Sequence, residues 1–149
     1  MINNFTKITL FLLITLTWIT SQATETIELT QTACQFIEPE GKDNKFRSNH
    51  AEDCNRINNE TGATRLTNSK VLRLKPGQHI FRIANKNVPY TLGFWLRGKG
   101  LARLTLPSTS GGGIETGQFR DYPINLKEGT YLFSCPLNPT PNYTLIVES

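Results

Sequence analysis

The feature that most constrains this fold lies near the end of the chain. In Gly129-Thr130-Tyr131-Leu132-Phe133-Ser134-Cys135, Tyr131 and Phe133 alternate with Leu132 and Ser134. A period of two is what a half-buried strand requires. Gly129 marks a turn before it. Pro136 and Pro139 follow Cys135, and proline has no N–H to donate to a ladder, so pairing stops there. Tyr143–Val147 then reads as a last strand. A thiol therefore sits where a strand ends and a tight proline-rich loop begins, a place suited to metal chemistry, redox chemistry or a disulfide.

Upstream, short runs of the same character recur. Ile27 and Leu29 alternate with Glu28 and Thr30, which predicts a first strand over 24–32, running on to Ala33, Cys34 and Phe36. Val71–Leu74 is a strand, Lys75-Pro76-Gly77-Gln78 a type II turn, and His79–Ala84 the next strand. Tyr90–Arg97 places Leu92, Phe94 and Leu96 on one face and Gly93, Trp95 and Arg97 on the other. Leu101–Leu106 is expected to be a strand, Pro107–Gly117 a flexible surface loop with Gly111-Gly112-Gly113, and Phe119–Leu126 a strand. Seven or eight short strands at this spacing predict an all-β sandwich. No internal repeat and no long amphipathic helix is visible.

The chain has 149 residues, enough for one ordinary domain. Its N-terminus is different in kind. Lys7 precedes an apolar run from Ile8 to Ile19, and Ser21-Gln22-Ala23 offers small residues for a peptidase. Residues 1–23 therefore read as a secretory signal. The run is shorter than the roughly 20 residues a membrane span needs, so no stable span is expected after cleavage. Residues 24–149 form the expected domain, in a periplasmic or secreted compartment. Removing 1–23 takes away one lysine and no acid, so the charge becomes 15 − 12 = +3. The basic residues are scattered rather than arranged in a stripe with aromatics, which argues against nucleic acid as a partner.

Cys34, Cys54 and Cys135 remain in the exported part. An oxidising compartment favours one pair and leaves one thiol. Between about Glu38 and Asn68 lies a polar insert, in which Ser48 is expected to cap a short helix. Ala51, Cys54 and Ile57 fall on one face of that helix. An insert of that length needs a tether. A Cys34–Cys54 disulfide would supply one, worth about 3 kcal/mol in the chain-entropy model. The other reading makes both sulfurs metal ligands, and the two readings exclude each other. For Cys135 three readings stand: an inert buried side chain, a metal thiolate, or a disulfide or redox partner.

Three pieces of the sequence, in order, resemble the cupredoxin family of Greek-key β-sandwiches. They are the Leu74-Lys75-Pro76-Gly77 turn with its following strand to Asn85, the Asn87-Val88-Pro89-Tyr90 corner, and the Gly129–Cys135 strand with its proline-rich loop. The resemblance implies a cupredoxin-like fold with the insert after the first strand. It also implies copper as a cofactor. A blue-copper centre uses two His and one Cys, usually with a weak axial Met. Tyr90 stands where the first His of that set belongs, no His follows Cys135, and the only Met is Met1. A standard centre cannot be assembled from this inventory. The chain is also similar to the cupredoxin domain of periplasmic iron-uptake proteins, whose two Cys match Cys34 and Cys135 by position. Tyr90-Thr91-Leu92 replaces an acidic segment of those proteins.

By the same analogy Cys34, the insert with His50 and Cys54, Tyr90 and Cys135 converge at one end of the sandwich. The candidate metal residues are Cys135, His50 and Tyr90. His50 stands beside Glu52, Asp53 and Cys54, a mixed set that suits copper or zinc, or else a solvated polar loop. Tyr90 reads otherwise as a packed ring with a bonded hydroxyl, and Trp95 as part of a partner surface. No catalytic constellation is legible, so the chain is not expected to be an enzyme. Two functional expectations follow. One is an exported copper-handling protein with a non-standard site, less suited to electron transfer because the ligands for it are missing. The other is a metal-free periplasmic module that binds a protein partner.

Overall fold

Burial along the strands follows the alternation read from the sequence. Strand β8 (Gly129–Ser134) buries Tyr131 and Phe133, and β9 (Tyr143–Val147) buries Tyr143, Leu145 and Val147. The computed structural model describes residues 24–149, so the signal segment read over 1–23 lies outside the described residues. The remaining strands are β1 (Glu25–Thr32), β2 (Gln35–Phe36), β3 (Leu72–Leu74), β4 (Gly77–Asn85), β5 (Leu92–Gly98), β6 (Thr109–Ile114) and β7 (Phe119–Leu126). They form two mixed sheets, ordered β2-β1-β4-β7 and β3-β9-β8-β5-β6. The β1–β4 and β3–β9 pairs are parallel and all others antiparallel. The expected all-β sandwich is present.

The core is an aromatic layer between the sheets. Phe36 meets Phe94, Phe133 and Tyr143 edge-on, with ring centroids 5.6–6.2 Å apart. Phe81 stacks on Phe94 at 5.7 Å. Such pairs add roughly 0.5–1.5 kcal/mol each beyond the area they bury.

Four local expectations are corrected. The first strand does not run on past Thr32. It turns at Ala33-Cys34, with Cys34 at φ 65°, and β2 folds back so that Thr32 pairs with Gln35. The insert holds a much longer helix than expected, α2 (Ala51–Asn68), after the short α1 (Ile37–Glu40). Its N-cap is His50 rather than Ser48, and the Asp53 carboxylate reaches back to accept the Asn49 N–H at 2.9 Å. Leu101–Leu106 is not a strand, because Gly100–Leu104 is a single 3-10 turn. A Cβ on Gly98 would lie 2.6 Å from the Ala102 carbonyl carbon and oxygen, so glycine lets this turn fold back over the end of β5. Finally, Thr109–Ile114 is an edge strand rather than a loop. Two of its carbonyls also accept from β7 side chains: Tyr122 Oη donates to Gly111 O at 3.1 Å, and the Arg120 guanidinium donates to Gly112 O.

Candidate functional site

The ends of β1, β5 and β8 meet at one pole of the sandwich, and Asn138 fills the space between them. It lies in the loop after Cys135, fully buried. Proline on each side of Leu137-Asn138 fixes the loop, and Thr140 Oγ1 accepts the Cys135 N–H at 3.1 Å. Asn138 Nδ2 donates to Thr32 O at 2.9 Å and to Gln31 Oε1 at 3.3 Å. Its Oδ1 accepts the Cys34 N–H at 2.8 Å. Gln31, also fully buried, passes the network on by donating to Gly93 O at 2.9 Å.

Cys135 is the free cysteine, and Cys34 is disulfide-bonded to Cys54. The Cys135 Sγ accepts N–H groups from Gly93 at 3.3 Å and Asn138 at 3.2 Å. Burial pushes the thiol pKa up, and the N–H groups of Gly93, Asn138 and Leu137 offset this only in part. At neutral pH the group is therefore a thiol, not a thiolate.

Tyr90 closes the pole from the side of the insert. Its hydroxyl lies 2.5 Å from Ser48 Oγ, 3.3 Å from Asn138 Oδ1 and 3.7 Å from Cys54 Sγ. Ser48 Oγ is also 2.9 Å from His50 O. Two hydroxyl protons serve this chain, so it has two settings. Either Ser48 donates to His50 O and Tyr90 to Ser48, or Ser48 donates to Tyr90 and Tyr90 to Asn138. Burial raises the Tyr90 pKa, with the Ser48 bond opposing it. Cys54 Sγ touches Asn138 Oδ1 at 3.3 Å. A disulfide sulfur has no proton, so this is a contact and not a hydrogen bond.

Helix α2 is held over this pole by a second buried network. Asn58 Nδ2 donates to Pro139 O at 2.5 Å. Arg65 donates through Nη2 to Cys34 O at 2.8 Å and to Glu40 Oε1 at 2.7 Å, and through Nη1 to Asn58 Oδ1 at 2.7 Å. Tyr143 Oη donates to the same Glu40 oxygen, and its own pKa is driven far up by burial and by that carboxylate.

The expected convergence is thus found for Cys34, Cys54, Tyr90 and Cys135, which all meet Asn138. The His50 ring does not join them. It is 64% exposed, with Nδ1 3.3 Å from Glu52 and 3.5 Å from Asp53. His79 sits at the start of β4, beside Glu25 at the start of β1, at the far end of the sandwich. Trp95 is half-buried, and the Arg97 guanidinium covers its ring at 3.9 Å. Asn138, Gln31 and Arg65 were not singled out from the sequence. The one signal for Asn138 is its position, a polar residue between prolines directly after the Cys135 strand.

A solved structure of auracyanin B, a cupredoxin, is similar to this chain, with a TM-score of 0.53 and 12% identity over 88% of this chain and 94% of that one. The fold is cupredoxin-like. At that identity the likeness carries the fold and nothing more. No family model matches the chain, and no curated protein matches it.

The fold family implies copper, and the residues at this pole do not fit it. The groups bonded to the Cys135 sulfur are backbone amides, the side chains beside them are carboxamides, and no imidazole points in. Among the described residues no group of three or more His, Cys, Asp and Glu side chains is placed to hold a metal ion. A trigonal set of two imidazoles and a thiolate has no counterpart here.

Proposed function

We propose that this chain is an exported, metal-free cupredoxin-like module that binds a protein partner and is neither an enzyme nor an electron carrier. The observation that supports this reading is Asn138. Its carboxamide spans the space between β1 and the Cys135 loop, and its bonds to Gln31, Thr32 and Cys34 are all made within the protein. The thiol beside it is buried, protonated and already accepts two N–H groups, so metal binding would have to undo a satisfied buried network. A disulfide tether accords with an oxidising compartment outside the cytoplasm.

The surface this reading assigns to the partner is the rim beside that loop. Leu137 is 46% exposed there. It stands over a groove of about 280 Å³ lined by Gly93, Gly111, Gly112, Trp95 and Pro136. A Cβ on Gly93 would lie 2.7 Å from Gly111 O, so the floor of the groove is necessarily bare backbone. Exposed apolar side chains around a backbone floor suit a protein segment better than a charged small molecule.

Copper titration of the reduced protein tests the proposal. The expected result is no thiolate-to-copper charge-transfer band and no uptake beyond that of Cys135→Ser. A stoichiometric band that disappears in Cys135→Ser would overturn it and restore the copper-handling reading.

A further inference from the structure

The opposite pole carries a feature that the partner reading does not use. The 3-10 turn Gly100–Leu104 presents Leu101 at 86% exposure and Leu104 at 82%. Single exposed leucines are ordinary. Two on one five-residue turn, both almost fully in water, are not what packing alone leaves behind. The turn is also held firmly. Lys99 N donates to Thr130 O at 2.9 Å, Leu106 N donates to Ala102 O at 2.8 Å, and the Leu106 side chain packs against Gly129. The leucines are therefore displayed by a fixed scaffold and are not the by-product of a loose loop.

The charged residues next to them in the chain are cationic. Lys99 precedes the turn and Arg103 lies between the two leucines. The same end of the sandwich carries the Lys75-Pro76 turn and the Lys127-Glu128 turn, since Gly77 pairs with Leu126 and Gly98 with Tyr131. Lys75, Lys99, Arg103 and Lys127 stand there against Glu25 and Glu128, while Glu148 is taken by Arg73 at 2.6 Å. Strand β1 also begins at this end, with Glu25 beside His79.

We infer that this pole is a membrane-contact surface, with Leu101 and Leu104 entering the interface of an anionic bilayer and Lys99 and Arg103 meeting its headgroups. A turn with two exposed leucines and the cations Lys99 and Arg103 matches interfacial insertion, where binding combines buried apolar area with attraction to anionic lipid. It matches a protein partner poorly, because one short turn offers far less than the roughly 800 Å² per side of a stable interface. The contact is peripheral and reversible, and it does not depend on how the Cys135 pole is used.

The test is vesicle co-sedimentation of residues 24–149, which contain both sheets, the disulfide and the whole core described above. Vesicles of phosphatidylcholine alone are compared with vesicles that also contain phosphatidylglycerol. Sedimentation is expected with the anionic vesicles, and it should weaken as salt rises. Leu101→Ser with Leu104→Ser should abolish it, and Lys99→Gln or Arg103→Gln should each weaken it about fivefold. Both kinds of variant should keep the wild-type melting temperature, because the altered side chains lie outside the core. Absence of sedimentation with anionic vesicles, or sedimentation that the leucine variant retains, would overturn the inference. So would a concentration-dependent dimer of the wild-type protein that the leucine variant dissolves, since the patch would then belong to a second copy.

Discussion

Asn138 Oδ1 accepts the backbone N–H of Cys34 at 2.8 Å, across 104 residues of chain. One carboxamide thus ties the turn after β1 to the loop after β8. It also sets the residue that carries the disulfide, because Cys34 holds φ 65°, a left-handed conformation that a side chain with a Cβ disfavours. The bond to Asn138 and the acceptance of Arg65 by the Cys34 carbonyl hold this turn from both sides.

Replacing Asn138 should therefore cost more than its size suggests. Asn138→Leu keeps the volume but leaves the buried Cys34 N–H without its acceptor and takes away the Nδ2 donor to Thr32 O and Gln31 Oε1. Each such group costs roughly 1–3 kcal/mol, so a loss of about 3 kcal/mol is expected in urea unfolding. Asn138→Asp should also be destabilising, because a carboxylate cannot donate to Thr32 O.

Arg65 and Glu40 form a buried ion pair, with side-chain exposures of 8% and 3%. Removing one member strands the other, at roughly 3–5 kcal/mol. Arg65→Met is expected to lie in that range, measured by denaturant unfolding. The double variant with Glu40→Gln should be less unstable than the sum of the single ones, because no lone charge is then buried.

These networks also explain how far the sequence can be read. Strands β4, β5, β8 and β9 were legible because large apolar side chains recur at every second position and the core takes them. The Cys34–Cys54 link was legible because a long polar insert needs a tether and two of the three cysteines stand just before it and within it. The length of α2 was not legible, since only Cys54, Gly62 and Arg65 along it are buried and it has no apolar stripe. Strand β6 was hidden by its glycines, which read as a loop. Its pairing comes from β5 and from the β7 side chains, not from its own residues. Asn138, Gln31 and Arg65 act through bonds to residues far away in sequence, and no local pattern marks such roles.

Cys135 should behave as an acceptor of N–H groups and not as an exposed nucleophile. The native, unreduced protein is expected to show no thiol reactive towards an aromatic disulfide reagent, and one thiol after unfolding. Cys135→Ser keeps an acceptor for Gly93 and Asn138, whereas Cys135→Ala leaves both amides without one. Cys135→Ala should therefore be the less stable of the two, by about 1–2 kcal/mol, when their urea midpoints are compared.

Alkaline pH should weaken the fold in stages. The Cys135 thiol has an ordinary pKa of 9.0, and burial raises it in the folded chain. Tyr90, Tyr122, Tyr131 and Tyr143 have an ordinary value of 10.0, and burial raises each of them too. An acid whose folded pKa lies above its unfolded value holds its proton more tightly when folded. Its stabilising contribution is complete below the unfolded value and declines as pH climbs from that value towards the folded one. Unfolding midpoints in urea should thus be unaffected by these groups up to about pH 8 and then fall, with each group contributing a slope of up to about 1.4 kcal/mol per pH unit. The earliest part of the fall belongs to the thiol, so it should be missing in Cys135→Ser, while the later part, set by the tyrosines, should remain. A wild-type midpoint that stays level through pH 10 would show that the thiol is not buried as described.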